Sequence, residues 1–169
     1  GGSSALASAQ IAKWLAEHPN SVSALSLAAR RASARQDYSA AAKYLESIVK
    51  LDSKNPVALN DLAWAYVMAN DPKALVIAKR AAEVAPNNPN VLDTLSQAQL
   101  NAGQKSEAIA TARQALVQDP KSPVLRLHLA EFAVELGDKK EATELLSGLD
   151  EKLLDGEAAL RLKALRAKL

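Results

Sequence analysis

The chain contains no cysteine, few aromatic residues, no long apolar run and almost no net charge. The missing cysteine excludes disulfides, thiolate zinc sites and cysteine nucleophiles, and leaves the compartment open. No stretch approaches the roughly 20 apolar residues that span a bilayer. A formal net charge of +2 is too small to gather nucleic acid or anionic membrane, which takes many clustered Lys and Arg side chains. Arg30, Arg31 and Arg35 form the one dense basic cluster and have no interleaved aromatics, so nucleic acid is not an expected partner. Aromatics are only 4% of the 169 residues and apolar residues 49%. That is enough to bury a core, and the dominance of Ala and Leu favours close-packed helices over β-branched, aromatic sheet. The expected fold class is all-α.

What the chain does have is a period. Pro56, Pro89 and Pro123 each follow a residue suited to helix capping, Asn55, Asn88 and Ser122. Proline fits the first helical turn, where its missing N–H would be unpaired anyway, and the Asn or Ser oxygen accepts a free N–H of that turn. Each pair therefore predicts a helix start. Pro86 and Pro120, Gly103 and Gly137, and the series Ala74, Ala108, Ala142 keep the same phase. Polar or Gly turns at Gln36-Asp37, Asn70-Asp71, Gly103-Gln104 and Gly137-Asp138 split each unit into two helices. Leu62-Ala63, Leu95-Ser96 and Leu129-Ala130 place a small residue in the first helix, where it permits close helix approach.

A unit such as "NPVALNDLAWAYVMANDPKALVIAKRAAEVAPNN" resembles the tetratricopeptide repeat, two antiparallel helices in about 34 residues. The resemblance implies an α-solenoid with repeats at 22–55, 56–88, 89–122 and 123–154. Repeat one departs from the pattern, with Arg31 at a normally small position and Ser53 in place of the closing proline. Residues 1–4, Gly-Gly-Ser-Ser, read as an expression remnant. Residues 5–19 read as the second helix of a repeat whose first helix lies upstream. Residues 157–169 read as a capping helix, with Ala158, Leu162, Leu165 and Leu169 on one stripe and Arg161, Arg166 and Lys168 outside it. The segments "NPVALNDLAWAY" and "VLRLHLAEFAVELGDKKEA" further resemble the C-terminal repeats of proteins encoded with bacterial exopolysaccharide and PEP-CTERM sorting systems, with Ser96 and Gln97 departing from that family's usual Gly and Trp. This implies an envelope lipoprotein at the periplasm or the periplasmic face of the outer membrane. Composition alone leaves the cytoplasm open.

Solenoids bind through the concave surface lined by their first helices. In the repeat frame that surface carries Ser26, Arg30, Asn60, Asp61, Trp64, Met68, Asp93, Thr94, Gln97, Asn101, His128, Glu131 and Glu135. Asn, Gln, Thr and Asp with one large aromatic suit hydrogen bonding to a partner's backbone or hydroxyls. Trp64 is either the anchor or a filler between repeats. The clamp of Lys, Asn and Arg with which some tetratricopeptide domains grip a terminal carboxylate is not reproduced. Asp61, Asp93, Glu131 and Glu135 instead favour a cationic or hydroxyl-rich ligand in the middle and C-terminal groove.

His18 and His128 have no second His at helical spacing, so no metal site is expected, and no phosphate loop, nucleophile elbow or Ser-His-Asp arrangement is present. The expected function is a non-catalytic, cofactor-free scaffold that binds a protein or extended peptide. The alternative is polysaccharide binding in the same groove, with Trp64 stacking on a sugar. Self-association through an uncovered N-terminal helix face is a further expectation. As an exposed site, Asp93→Arg is expected to leave stability within about 0.5 kcal/mol. Ala108→Asp is expected to be strongly destabilising.

Overall fold

A computed structural model describes residues 2–169, with side chains from residue 9 onward. The regular structure of these residues is ten α-helices and a 3₁₀ turn, without strands. The chain divides into two compact units, Gly1–Pro86 and Asn87–Leu169.

The first unit holds α1 (Gly2–Glu17), α2 (Val22–Ala34), α3 (Tyr38–Leu51), α4 (Pro56–Met68) and α5 (Ala74–Val84), each packed on its neighbour in sequence. The second holds α6 (Pro89–Asn101), α7 (Lys105–Gln118), α8 (Pro123–Glu135), α9 (Lys139–Leu146), the 3₁₀ turn Glu151–Leu153 and α10 (Gly156–Arg166). Here α10 returns to pack on α8. Residue 1 of the expected remnant lies outside the described residues, and residues 2–4 fall within α1. No described helix is long and apolar enough to cross a membrane.

The first helix of every repeat begins in the same way. The side-chain oxygens of Ser21, Asn55, Asn88 and Ser122 accept the backbone N–H of Ala24, Ala58, Val91 and Leu125. Each satisfies a donor that the helix itself cannot. The endings also repeat. Gln36, Asn70, Gly103 and Gly137 all have a left-handed backbone, φ 59°, 52°, 77° and 82°. In each case the next N–H closes on a carbonyl five residues back: Asp37 on Ala32, Asp71 on Tyr66, Gln104 on Gln99 and Asp138 on Ala133. This is the Schellman closure that ends a helix and reverses the chain. Glycine adopts it without strain, whereas Gln36 holds it against the steric cost of its Cβ.

The cores are built from small residues. Ala41, Ala74, Ala108 and Ala142, each just inside a second helix, are buried. A methyl group there lets the paired helix approach closely. In the second unit Leu127, Ala130, Ala142, Leu146, Ala158, Leu162 and Leu165 form one apolar cluster that seats α10. The capping stripe expected at the C-terminus is corrected at Leu169, which lies beyond the end of α10 and is exposed. Arg166 is likewise engaged, donating to the carbonyls of Leu146 and Leu149. Arg126 donates to those of Leu145 and Ser147. Together they satisfy acceptors left open where α9 stops after only eight residues. In the first unit Tyr66 donates its hydroxyl proton to Glu46. Burial, then this bond and the charges of Glu46 and Asp71, push its phenol well above the usual range.

Candidate functional site

A hollow of about 610 Å³ opens in the first unit between α2, α3 and α4. Its floor is apolar, with Ala29 from α2, Leu45 and Ile48 from α3 and Ala58 from α4. Its rim carries exposed Val22 and Val57, the half-buried Trp64, and two opposite charges, Arg30 and Asp61. Loss of hydration at this wall raises the Asp61 carboxyl above its ordinary 3.8, and a hydrogen bond from the Asn60 side chain pulls it the other way. Asn60 Oδ1 is buried and accepts no hydrogen bond. Among the described residues Arg30 makes no ion pair or hydrogen bond.

A second hollow, about 440 Å³, lies in the second unit and is lined by Gln97, Asn101, Glu131, Glu135, Arg161 and Lys168, with Phe132, Val134 and Leu165 among its apolar walls. Two of its four charged side chains, Glu131 and Arg161, are engaged with each other. Arg161 from α10 forms a bidentate pair with Glu131 of α8. Beside it, His128 Nδ1 lies 2.8 and 2.9 Å from the two carboxylate oxygens of Asp93 on α6, and His128 Nε2 is 3.4 Å from Arg161 Nη1. A carboxylate only accepts and a guanidinium only donates. A neutral ring with its proton on Nδ1 and its lone pair on Nε2 satisfies both neighbours. His128 is only 5% exposed and the Asp93 side chain 14%. The chain Asp93–His128–Arg161–Glu131 thus ties three helices together within the unit.

Residues 106–169 match the family model described as tetratricopeptide repeat. No curated protein matches the sequence. Among solved structures, the thermophilic TPR protein TTC0263 of Thermus thermophilus aligns at 21% identity and a TM-score of 0.78, covering 98% of this chain and 92% of that one. MamA from Desulfovibrio magneticus RS-1, residue 41 to its end, aligns at 19% identity and 0.74, covering 99% and 88%. YrrB, described as a TPR protein with an unusual peptide-binding site, aligns at 21% and 0.68, covering 96% and 84%. The fold is that of a tetratricopeptide-repeat protein.

In this tetratricopeptide fold the expected binding residues separate into three groups. Ser26, Arg30, Asp61 and Trp64 come together around the first hollow. Asn60 stands next to it, bonded to Asp61, and half-buried Met68 lies outside its lining. Gln97, Asn101, Glu131 and Glu135 share the second hollow. Three expectations need correction. Thr94 is buried, and its hydroxyl donates to the Asn90 carbonyl one turn back. His128 is buried and partnered rather than isolated, and Asp93 is its partner rather than an exposed groove carboxylate. Glu131 is neutralised by Arg161 and Asp93 is occupied by its hydrogen bond with His128, so of the acidic groups expected to attract a cationic ligand in this part of the chain only Glu135 is left without a partner among the described residues.

Other residues of the two hollows escape the sequence reading. Leu45 and Ile48 form the floor from a second helix, whereas the repeat frame points to first-helix faces alone. Arg161 lies outside the apolar stripe of the C-terminal helix, and its near-one-repeat spacing from Glu131 is the signal that pairs them. Near the N-terminus His18 packs its ring on exposed Trp14, with centroids 4.2 Å apart. Among the described residues no three His, Cys, Asp or Glu side chains converge to hold a metal ion.

Proposed function

We propose that this protein is a non-catalytic interaction scaffold whose first-unit hollow seats an extended segment of a protein partner. The observation that carries this reading is the pairing of an apolar floor with an unpartnered Arg30 and a half-buried Trp64 around about 610 Å³ of open space. A partly desolvated aromatic beside an accessible cation is the composition of an interface hot spot. The printed description of YrrB, a relative in fold with a peptide-binding site, agrees with a peptide as the occupant. A setting in a bacterial envelope assembly beside polysaccharide export rests on the sequence resemblance of the repeats alone.

The test is direct binding by isothermal calorimetry, comparing the parent with Trp64→Ala and Val57→Asp against a library of extended peptides and a panel of soluble bacterial polysaccharides. Peptides bound by the parent and lost in both variants support the reading. Polysaccharide bound in the same variant-dependent way would replace it with a glycan-binding function. Binding that ignores both substitutions would move the site elsewhere.

A further inference from the structure

The repeat register lets the two units be compared position by position. Arg30, Trp64, Gln97 and Glu131 each lie six residues before the left-handed turn residue of their repeat, and Asp61, Thr94 and His128 lie nine before it. At these positions the second unit satisfies its polar groups within itself: Glu131 pairs with Arg161 and His128 hydrogen-bonds Asp93. The first unit does not. Arg30 has no partner among the described residues, and Asp61 has only a hydrogen bond from the neighbouring Asn60 side chain. Two opposite charges, Arg30 from α2 and Asp61 from α4, therefore border one hollow with an apolar floor and form no ion pair with each other. Charges left unpaired at the edge of an apolar patch select partners and orient them more than they add to affinity.

We propose that the first-unit hollow selects a segment of mixed charge: an apolar side chain on the floor formed by Leu45, Ile48 and Ala58, an acidic residue paired with Arg30 on one side of it, and a basic residue paired with Asp61 on the other. This rests on the reading of the hollow as a peptide site and adds its specificity. A segment carrying the same two charges in reverse order sets like charges against each other at both ends. A reversed segment escapes this repulsion only by running the other way, so the hollow ties the order of the partner's charges to the direction of its chain.

The test uses five capped peptides built around one central Leu: acidic–Leu–basic, basic–Leu–acidic, doubly acidic, doubly basic and uncharged. The chain has two tryptophans, so a Trp14→Phe background leaves Trp64 as the sole tryptophan reporter in the hollow. The expected result is that one mixed order binds at least about tenfold more tightly than the other four, an advantage that shrinks as salt is raised. Arg30→Glu should abolish the advantage. The swap Arg30→Glu with Asp61→Lys should transfer it to the opposite order. Both sites are solvent-accessible, and unchanged circular dichroism would verify that the variants fold. If all five peptides bind alike and the swap changes nothing, the charges are bystanders and this inference fails while the peptide site stands. If no peptide perturbs Trp64, the peptide-site reading itself fails.

Discussion

Truncating Asp93 to Ala removes the acceptor for a proton held deep in the second unit. Were Asp93 an exposed groove residue, the change would register at no more than about 0.5 kcal/mol. The structure requires a larger effect. His128 is 5% exposed, and its Nδ1–H has both Asp93 oxygens within 2.9 Å. Without them the ring retains a buried, unsatisfied donor, which costs about 1–3 kcal/mol. Asp93→Asn keeps a carbonyl oxygen able to accept the same proton and loses only the charge assistance, so its cost should be smaller than that of Asp93→Ala. Urea unfolding at neutral pH measures both. Because repeat units can unfold separately, it should be paired with amide hydrogen exchange read over α6 and α8, where protection is expected to fall first. The double variant Asp93→Ala with His128→Ala isolates the pair. A direct contact gives a coupling of about 0.5–3 kcal/mol, whereas independent sites add. If Asp93→Ala unfolds at the parent's urea concentration, or the cycle shows no coupling, the buried pair is not formed and the argument that this unit satisfies its own polar groups collapses with it.

Gln36→Gly should stabilise the first unit by about 0.5–1 kcal/mol, since Gln36 holds φ 59° at a position that Gly occupies in the later repeats; thermal melting measures this, and a loss of stability would mean that the side chain makes a compensating contact. Ala108, fully buried against α8, should not tolerate Asp: about 3 kcal/mol or more is expected for an unpaired charge in that core, seen as loss of the cooperative transition in circular dichroism. Asp61→Asn should show a pH signature. The native carboxyl is raised above 3.8, so the folded state favours the proton and loses stability as pH rises through the native value. The Asn variant should therefore melt higher than the parent at pH 7 and together with it at pH 3, and a gap that persists at pH 3 would assign the effect to packing rather than ionisation.

Local chemistry was legible in the sequence wherever a single residue determines it. Asn55-Pro56, Asn88-Pro89 and Ser122-Pro123 announce helix starts because side-chain acceptor and missing donor act over one turn. Gly103 and Gly137 announce the reversals because only glycine reaches their backbone conformation freely. The candidate site was legible in part, since Arg30, Asp61 and Trp64 fall on one face in the repeat frame. Its floor was not, because Leu45 and Ile48 arrive from a different helix and resemble every other core residue of that helix. The ion pairs were hidden for a similar reason. Asp93 and His128 are 35 residues apart and Glu131 and Arg161 are 30, so each residue seen alone on an exposed-looking helical face reads as solvated or ligand-binding.

Those pairs nonetheless follow a rule. A repeat fold brings residues separated by about one period onto nearby helices of the same unit, so a charged group on one helix is satisfied when the other offers a counter-charge or a hydrogen-bond donor at the matching place. Asp93 finds His128, and Glu131 finds Arg161. For Arg30 the equivalent position holds Trp64, a residue that offers a flat apolar face and no counter-charge. The position that remains open to a partner is therefore the one where the repeat has broken its own pairing. In this reading the pairs of the second unit hold helices together, and the unmatched Arg30 and Asp61 of the first unit are available for recognition.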